Sequence, residues 1–307
     1  MAISLEDFAR TAQLNAAEVR ALRRISTDRG RMTLARNIAE RIFFAPQQDW
    51  TPDIPESAAL SEAWFGAAWL SMDASREQYR RKNIAASVWL DSMTDLRIWL
   101  RNELRNSGTI GLGPLARPWQ VLLYRGDVTR HGRLECNSEF FYGHKALCGK
   151  NGQEILAPGD AVINLHIPED GPMDLAACGA SMRRMADFFA VWKPQYDWKG
   201  FLCESWLLDR QLRPLLPKSS NILKFQNLGP HYRMHETDDT FFRIFGYADP
   251  GALPESTSLQ RGAAEFLRRG GKFMEEGMFI SRQAVEAADF DLAKMVAEHD
   301  GESLSTP

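Results

Sequence analysis

Two ionisable side chains in apolar segments are the first candidates for chemistry. Glu204 lies inside the apolar run of residues 201–208, where an unpaired carboxylate is costly to bury. His166 stands near the end of the run of residues 161–167, and a neutral imidazole there can accept a proton near pH 7. Each has a structural alternative, since His166 can be a hydrogen-bonded core histidine and Glu204 can cap backbone donors at a bulge.

Alternation along residues 201–208 separates two polar side chains between opposite faces of a strand. Glu204 shares one face with Leu202, whereas Ser205 shares the other face with Cys203. Both polar residues are candidate site residues.

Other catalytic and metal-binding patterns are absent from the sequence. There is no GxSxG motif, and none of the four cysteines stands in a recognisable nucleophile motif. His231 and His235 are four residues apart, a spacing that suits two metal ligands on a helix. Pro230 and a β-like context argue against a helix there, so we expect no metal.

Residues 164–172 form a predicted strand, turn and helix start. Such a turn can bind an anion through free backbone N–H groups and the helix dipole. Here the turn carries Glu169 and Asp170, which would repel a phosphate, and its one glycine is Gly171. It is therefore neither a Walker loop nor a dinucleotide fingerprint, and a plain structural turn is the alternative.

The periodicity of apolar residues predicts an N-terminal helical half and a C-terminal α/β half, that is, an α+β protein. Expected helices cover residues 84–104, 173–189, 210–225 and 258–269, and expected strands cover residues 119–124, 131–136, 161–167, 201–208, 241–247 and 273–281. The boundary falls near Gly111. We divide the chain into a helical N-terminal domain (1–112), a second domain (113–284) and a tail (285–307).

Composition excludes several classes of protein. Hydrophobic residues make up 44% and charged residues 25% of the 307 residues, and the net charge is −3. No strong field exists to capture nucleic acid or an anionic membrane. The cysteines form no CxxC pair, and no run reaches the ~18 apolar residues of a membrane span. We therefore expect a reduced, cytoplasmic protein, a monomer or weak dimer.

Several sequence segments, in the same order along the chain, resemble segments of the GNAT-like acyltransferases that have a helical N-terminal domain and a GNAT-like C-terminal domain. The resemblance runs from about residue 90 to residue 281. The segments that carry the resemblance are Asp95-Leu-Arg-Ile-Trp99, His131-Gly-Arg-Leu134, Leu165-His-Ile-Pro168, Cys203-Glu-Ser-Trp-Leu-Leu208, Ser220-Asn-Ile-Leu-Lys-Phe225 and Thr257-Ser-Leu-Gln260. Asn137 stands where the family has a glutamate, which implies an altered acceptor pocket.

The resemblance implies a mixed sheet that splays between the strand ending at His166 and the strand near Phe201, with an acyl-thioester inserted in the splay. It implies donor-binding residues in three places along the chain: Asn164 and Leu165; Gly171, Met173 and Asp174; and Ser220 and Asn221. The acidic turn departs from the family's phosphate loop, so the donor is either acyl-CoA or an acyl carrier protein thioester.

The implied chemistry is direct attack of an amine on the thioester. His166 or Glu204 is the candidate base, and backbone N–H groups near Leu165 would meet the oxyanion. Many members protonate the leaving thiolate with a tyrosine. None occurs between Asp197 and His231, so Ser205, Ser220 or water would serve.

Two alternatives stay open at this point. One is a catalytically silent protein that binds an acyl-thioester or a protein partner. The other moves the acyl group to a hydroxyl, because both nucleophiles use the same base and oxyanion site. The feature that separates enzyme from silent binder is whether His166 and Glu204 face the same site.

Overall fold

A computed structural model describes residues 3–45, 50, 53–149, 152–246 and 248–298 of the chain. These residues group into two compact units. The first contains the described residues up to 131 together with 168–170, and the second contains the described residues of 132–167 and those from 171 onwards. The first unit thus continues beyond residue 112, the expected end of the helical N-terminal domain.

The first unit is helical. Its helices are α1 (Leu5–Thr11), α2 (Ala16–Thr27), α3 (Arg29–Arg41), α4 (Ala58–Leu70), α5 (Met72–Arg81), α6 (Ala86–Met93), α7 (Leu96–Ser107) and α8 (Ala116–Arg125), followed by the short strand β1 (Thr129–Arg130). The helix α4 is buried along most of its length, including Trp64 and Phe65, and packs against α2 and α3. A mainly apolar helix that is buried along most of its length lies at the centre of its unit.

Two expectations for this unit were wrong. Residues 119–124, expected as a strand, belong to α8, which ends at the left-handed Gly126. A short apolar run does not separate strand from helix by itself, and the i,i+4 bond from Tyr124 to Gln120 belongs to the helix. The long helix expected over 84–104 is interrupted between α6 and α7, where buried Asp95 accepts a hydrogen bond from Gln120.

The second unit is built on a mixed sheet. Its strands are β2 (Glu135–Phe140), β5 (Ala161–His166), β6 (Gly200–Ser205), β7 (His231–Glu236) and β8 (Met274–Ser281), in the order β2-β5-β6-β8-β7. The short strands β3 (Leu147–Cys148) and β4 (Glu154–Leu156) form a separate pair. Neighbours in the main sheet are antiparallel except β5 and β6, which are parallel.

Helices complete this unit. They are α9 (Leu175–Trp192), α10 (Asn221–Gln226), α11 (Asp239–Phe245), α12 (Ser258–Arg268), α13 (Arg282–Glu286) and α14 (Leu292–Glu298), with 3-10 turns at Trp206–Leu208 and Arg210–Leu215. The strand expected over 241–247 is wrong, because residues 239–245 are helical; Tyr247 lies outside the described residues. The rings of Phe241 and Phe245, one helical turn apart, pack at 5.1 Å.

The two faces of the main sheet have different partners. One face carries Cys136, Leu165 and Cys203 against α9 in the main apolar core. The opposite face carries Val162 and Leu202, which pack with further apolar side chains from the same unit. The helical first unit and the mixed sheet with flanking helices confirm the α+β class. No helix in the described ranges is long and apolar enough to cross a membrane.

Gly111 provides a test of packing in the first unit. A Cβ at this position would lie 2.6 Å from the backbone carbonyl of Ser61, whose oxygen accepts a hydrogen bond from the Leu112 N–H at 2.9 Å. We expect Gly111→Ala to lower the free energy of unfolding by about 1–3 kcal/mol, measured by urea denaturation. Gly30→Ala in α3, where the nearest atom is at 3.4 Å, is the matched control and should cause no loss. Equal stability of the two variants would contradict this packing argument.

Candidate active site

His166 closes β5 and is held by an amide from the neighbouring strand. Its Nε2 lies 2.7 Å from Oδ1 of Asn137 on β2. Because an amide oxygen only accepts, the imidazole nitrogen at this contact donates, and the lone pair of the neutral ring is on Nδ1. Burial lowers the pKa of His166 to about 4, so the ring is neutral at pH 7.

Glu204 lies near the end of β6 and accepts a hydrogen bond from a tyrosine. The hydroxyl of Tyr232, on β7, donates to Glu204 Oε1 at 2.6 Å. Burial, and then the nearby Glu204 carboxylate, raise the pKa of Tyr232, so its phenol stays protonated. The Glu204 carboxylate therefore has a hydrogen-bond partner, the hydroxyl of Tyr232.

A glycine makes the contact between Glu204 and Tyr232 possible. Strand β8 lies between β6 and β7, and Gly277 is paired in register with both Glu204 and Tyr232. A Cβ on Gly277 would lie 2.1 Å from Cζ of the Tyr232 ring. The absent side chain lets the ring cross β8 to reach β6.

The register places His166 and Glu204 on one face of the sheet. Strands β5 and β6 pair over only three positions. Ile163 lies beside Phe201, Asn164 beside Leu202 and Leu165 beside Cys203. Side chains two residues apart on a strand share a face, so His166 follows Asn164 and Glu204 follows Leu202 on the same side. Both residues lie just beyond the last strand pair, where the splay is expected.

Asn164 lies on this face two residues before His166. Its Oδ1 is buried and accepts no hydrogen bond from the described residues. A buried amide oxygen without a donor is costly. The position therefore suits a ligand that brings an N–H group.

The other predicted residues of the strands and of α10 have structural contacts. Ser205 accepts a hydrogen bond from the N–H of Leu207 and lies on the opposite face from Glu204. Ser220 accepts one from the N–H of Ile222 and caps α10, which begins at Asn221. Leu165 is buried in the main core, so only its backbone can contribute to a site.

The acidic residues of the turn after β5 are paired with cations. Within the first unit, Asp170 lies 2.6 Å from Arg130 and 3.7 Å from Arg97. Glu169 lies 3.2 Å from Arg105 in the same unit. These charges are compensated, so the expectation that they repel a phosphate loses its basis.

The rest of the turn belongs to the second unit. Arg133 donates to the backbone oxygens of Gly171 and Pro172, and Met173 is buried. Asp174 caps α9 by accepting a hydrogen bond from the N–H of Ala177 at 2.8 Å. The start of α9 thus has a carboxylate cap and an arginine beside it.

The two histidines of β7 do not converge on a common ligand. His231 is buried and contacts the backbone oxygen of Gln226 and, at 3.4 Å, Glu276. His235 is exposed and lies 3.2 Å from Glu275. Within the described ranges, no group of three or more histidine, cysteine, aspartate or glutamate side chains is placed to hold a metal ion.

Sequence reasoning missed the roles of Tyr232 and Asn137. Tyr232 lies one residue beyond the interval from Asp197 to His231, which contains no tyrosine. The signal that could have found it is Gly277, since a glycine inside the strand Met274–Ser281 indicates close approach of another group. Asn137 was noted as a departure from the family pattern, but its contact with His166 was not foreseen.

Two family models match the chain. The family model described as the N-acyltransferase N-terminal domain matches residues 4–126, and the GNAT-like C-terminal domain matches residues 128–279. A comparison with curated protein sequences gave no match.

Solved structures of acyltransferases share the fold. A complex with decanoyl-CoA and teicoplanin has a TM-score of 0.68 and 21% sequence identity, covering 90% of this chain and 87% of that chain. A point mutant in complex with octanoyl-CoA gives the same values. A complex with CoA and 10C-teicoplanin has a TM-score of 0.67 and 20% identity, over 90% of this chain and 87% of that chain.

The Glu204–Tyr232 contact predicts coupling between two substitutions. Tyr232→Phe removes the donor, and we expect it to lower the free energy of unfolding by about 1.5–3 kcal/mol. Gly277→Ala should displace the ring and break the same bond. The double variant should therefore lose less stability than the sum of the single variants, as measured by urea denaturation.

Tyr142→Phe is the control for the loss of a hydroxyl, because Tyr142 is 74% exposed, and it should leave stability unchanged. Strict additivity of Tyr232→Phe and Gly277→Ala would show that Gly277 does not act through this bond.

Proposed function

The chain belongs to the GNAT-like acyltransferases that carry an N-acyltransferase N-terminal domain, and from this premise we propose that it transfers an acyl group from acyl-CoA to an amine. The observation that carries the proposal is the common face of His166 and Glu204, just beyond the last β5–β6 pair. Two polar groups at the opening of a splayed sheet favour an enzyme over a silent binder.

Donor binding is supported by the polar atoms at the splay. Asn164 Oδ1 is a buried acceptor without a donor, and the amide N–H groups of a pantetheine arm match it. Crystal structures with the same fold contain decanoyl-CoA or octanoyl-CoA. The ion pairs of Glu169 and Asp170 remove the electrostatic objection to phosphates near Gly171. A carrier-protein thioester is the alternative donor.

In the proposed reaction, the amine nitrogen forms a bond to the thioester carbonyl carbon, and the C–S bond then breaks. Backbone N–H groups near Leu165 and His166 would stabilise the oxyanion. The nitrogen must lose a proton, and the neutral ring of His166 is the proposed acceptor, with Glu204 as the second candidate.

The leaving thiolate must gain a proton, and Tyr232 is the proposed donor on this face. Its phenol is protonated and hydrogen-bonded to Glu204. Ser205 and Ser220 both cap backbone N–H groups, so neither is as well placed as Tyr232 on the face of His166.

The low pKa of His166 favours an amine acceptor over a hydroxyl. An amine attacks before it loses a proton, and the ammonium in the tetrahedral intermediate is acidic enough for a weak base. A hydroxyl needs a stronger base as it attacks, because its own pKa is far higher. A ring with a pKa of about 4 suits the first case.

Substitution of the two candidate bases tests the proposal. We expect His166→Ala and Glu204→Gln each to lower turnover with acyl-CoA and an amine at least tenfold, within the range of general base catalysis. Thermal melting should show that both variants are folded and still shift with acyl-CoA. His144→Ala, at an exposed histidine, is the matched control and should keep full activity.

Ligand-dependent melting separates the donor classes. A donor at about 100 times its dissociation constant adds about 2.7 kcal/mol to the stability of the folded protein. A shift with acyl-CoA supports the proposed donor, whereas a shift only with a loaded carrier protein favours the alternative. Full activity of both His166→Ala and Glu204→Gln would overturn the assignment of the base, and binding without turnover of any amine would favour the silent binder.

A further inference from the structure

Three polar side chains, one on β5 and two on β2, contact one another in series. His166 Nε2 lies 2.7 Å from Asn137 Oδ1, and Asn137 Nδ2 lies 3.0 Å from Glu139 Oε2. Asn137 and Glu139 are two residues apart on β2 and therefore share the face of His166. Asn137 thus connects the candidate base His166 to the carboxylate of Glu139.

Glu139 determines which way the Asn137 amide points. Only the NH2 group of an amide can donate to a carboxylate. If the amide were flipped, its oxygen would face the Glu139 carboxylate and its NH2 group would face His166. The contact with Glu139 therefore fixes Oδ1 towards His166 and makes His166 Nε2 the protonated nitrogen.

We propose that Asn137, oriented by Glu139, is a positioning residue that fixes the tautomer of His166 while adding no charge beside it. This inference rests on the proposed function, in which the neutral ring of His166 accepts the amine proton. An aspartate of nearly the same shape would place a carboxylate 2.7 Å from the ring and stabilise its protonated form. Asn137 holds the ring by a neutral group, and the carboxylate stands one side chain further away.

Other titratable groups surround the ring within the second unit. Glu135 lies opposite His166 in the β2–β5 register, and Glu204 lies on the same face at the end of β6. Tyr232 donates to Glu204, which ties up part of that carboxylate. The effect of Asn137 must therefore be measured against this background, by changing only its side chain.

The first test reads the ring itself and requires no turnover. In the full chain labelled with 15N-histidine, the His166 signals are assigned by their loss in His166→Ala. We expect the Nε2-protonated tautomer in the native chain, with no titration of this ring above about pH 5. Asn137→Asp should raise the pKa of His166 by roughly 1–3 units, and Asn137→Ala should give a mixture of the two tautomers.

The second test reads catalysis. The acid limb of the kcat/KM profile should move to higher pH in Asn137→Asp by the same interval as the pKa of His166. Asn137→Ala should lower kcat about tenfold or more and change the KM for acyl-CoA less than twofold. Glu139→Gln keeps a hydrogen-bond partner but lets the amide turn, so its tautomer ratio should lie between those of the native chain and Asn137→Ala.

Ser138→Ala is the matched control, because Ser138 lies between these residues on the other face of β2, where it accepts a hydrogen bond from Lys193. It should leave the tautomer, the pKa and the pH profile unchanged. A native His166 tautomer and pKa in both Asn137 variants would overturn the proposal, whatever the activity. If the ring responds as expected but no variant or native chain turns over, then the proposed function fails and the positioning contact stands.

Discussion

The site depends on a single constraint, which is that β5 and β6 pair over only three residues each. Outside that interval each strand has another partner, since β5 pairs with β2 through His166 and β6 pairs with β8 through Ser205. The edges between β5 and β6 can therefore separate without loss of either strand. A buried sheet normally satisfies its backbone groups by pairing, so the end of the β5–β6 pairing is the place in this sheet where a ligand can add contacts.

The polar side chains near the middle of the sheet lie just beyond the end of this pairing. His166 and Glu204 each have a partner on an outer strand, Asn137 on β2 and Tyr232 on β7. The His166–Asn137 pair and the Glu204–Tyr232 pair differ in the chemistry of the partner. The histidine is kept neutral by burial and a neutral amide, whereas the glutamate is held by a phenol that can donate a proton. One group that can accept a proton and one that can donate a proton, on the same face, fit the proposed acyl transfer.

The strands and helix that frame the site follow from the sequence, but its contacts do not. The segments containing His166, Cys203 and Met278 read as strands because they are apolar and bounded by turn residues, and α9 reads as a helix from its spacing. The strand predictions for residues 119–124 and 241–247 failed for a common reason, since a short apolar run that contains aromatic residues fits a strand as well as a helix. The pairing of Glu204 with Tyr232 depends on strand order, because β8 comes last in the chain and yet lies between β6 and β7, and Gly277 is the one residue whose type hints at it.

The charge of the turn after β5 cannot be predicted from the residues of that turn alone. Glu169 and Asp170 make the turn acidic in the sequence, and that acidity argued against a phosphate-bearing donor. Their arginine partners lie 64 and 40 residues away along the chain, so the net charge of the turn is set by the fold and not by its own residues. An ion pair cancels most of the field that either charge would produce at a distance beyond their separation. Arg133, which donates to the backbone oxygens of Gly171 and Pro172 just before α9, places a cation beside the same segment from within the second unit, so the charge near the start of α9 cannot be read from Glu169 and Asp170 alone.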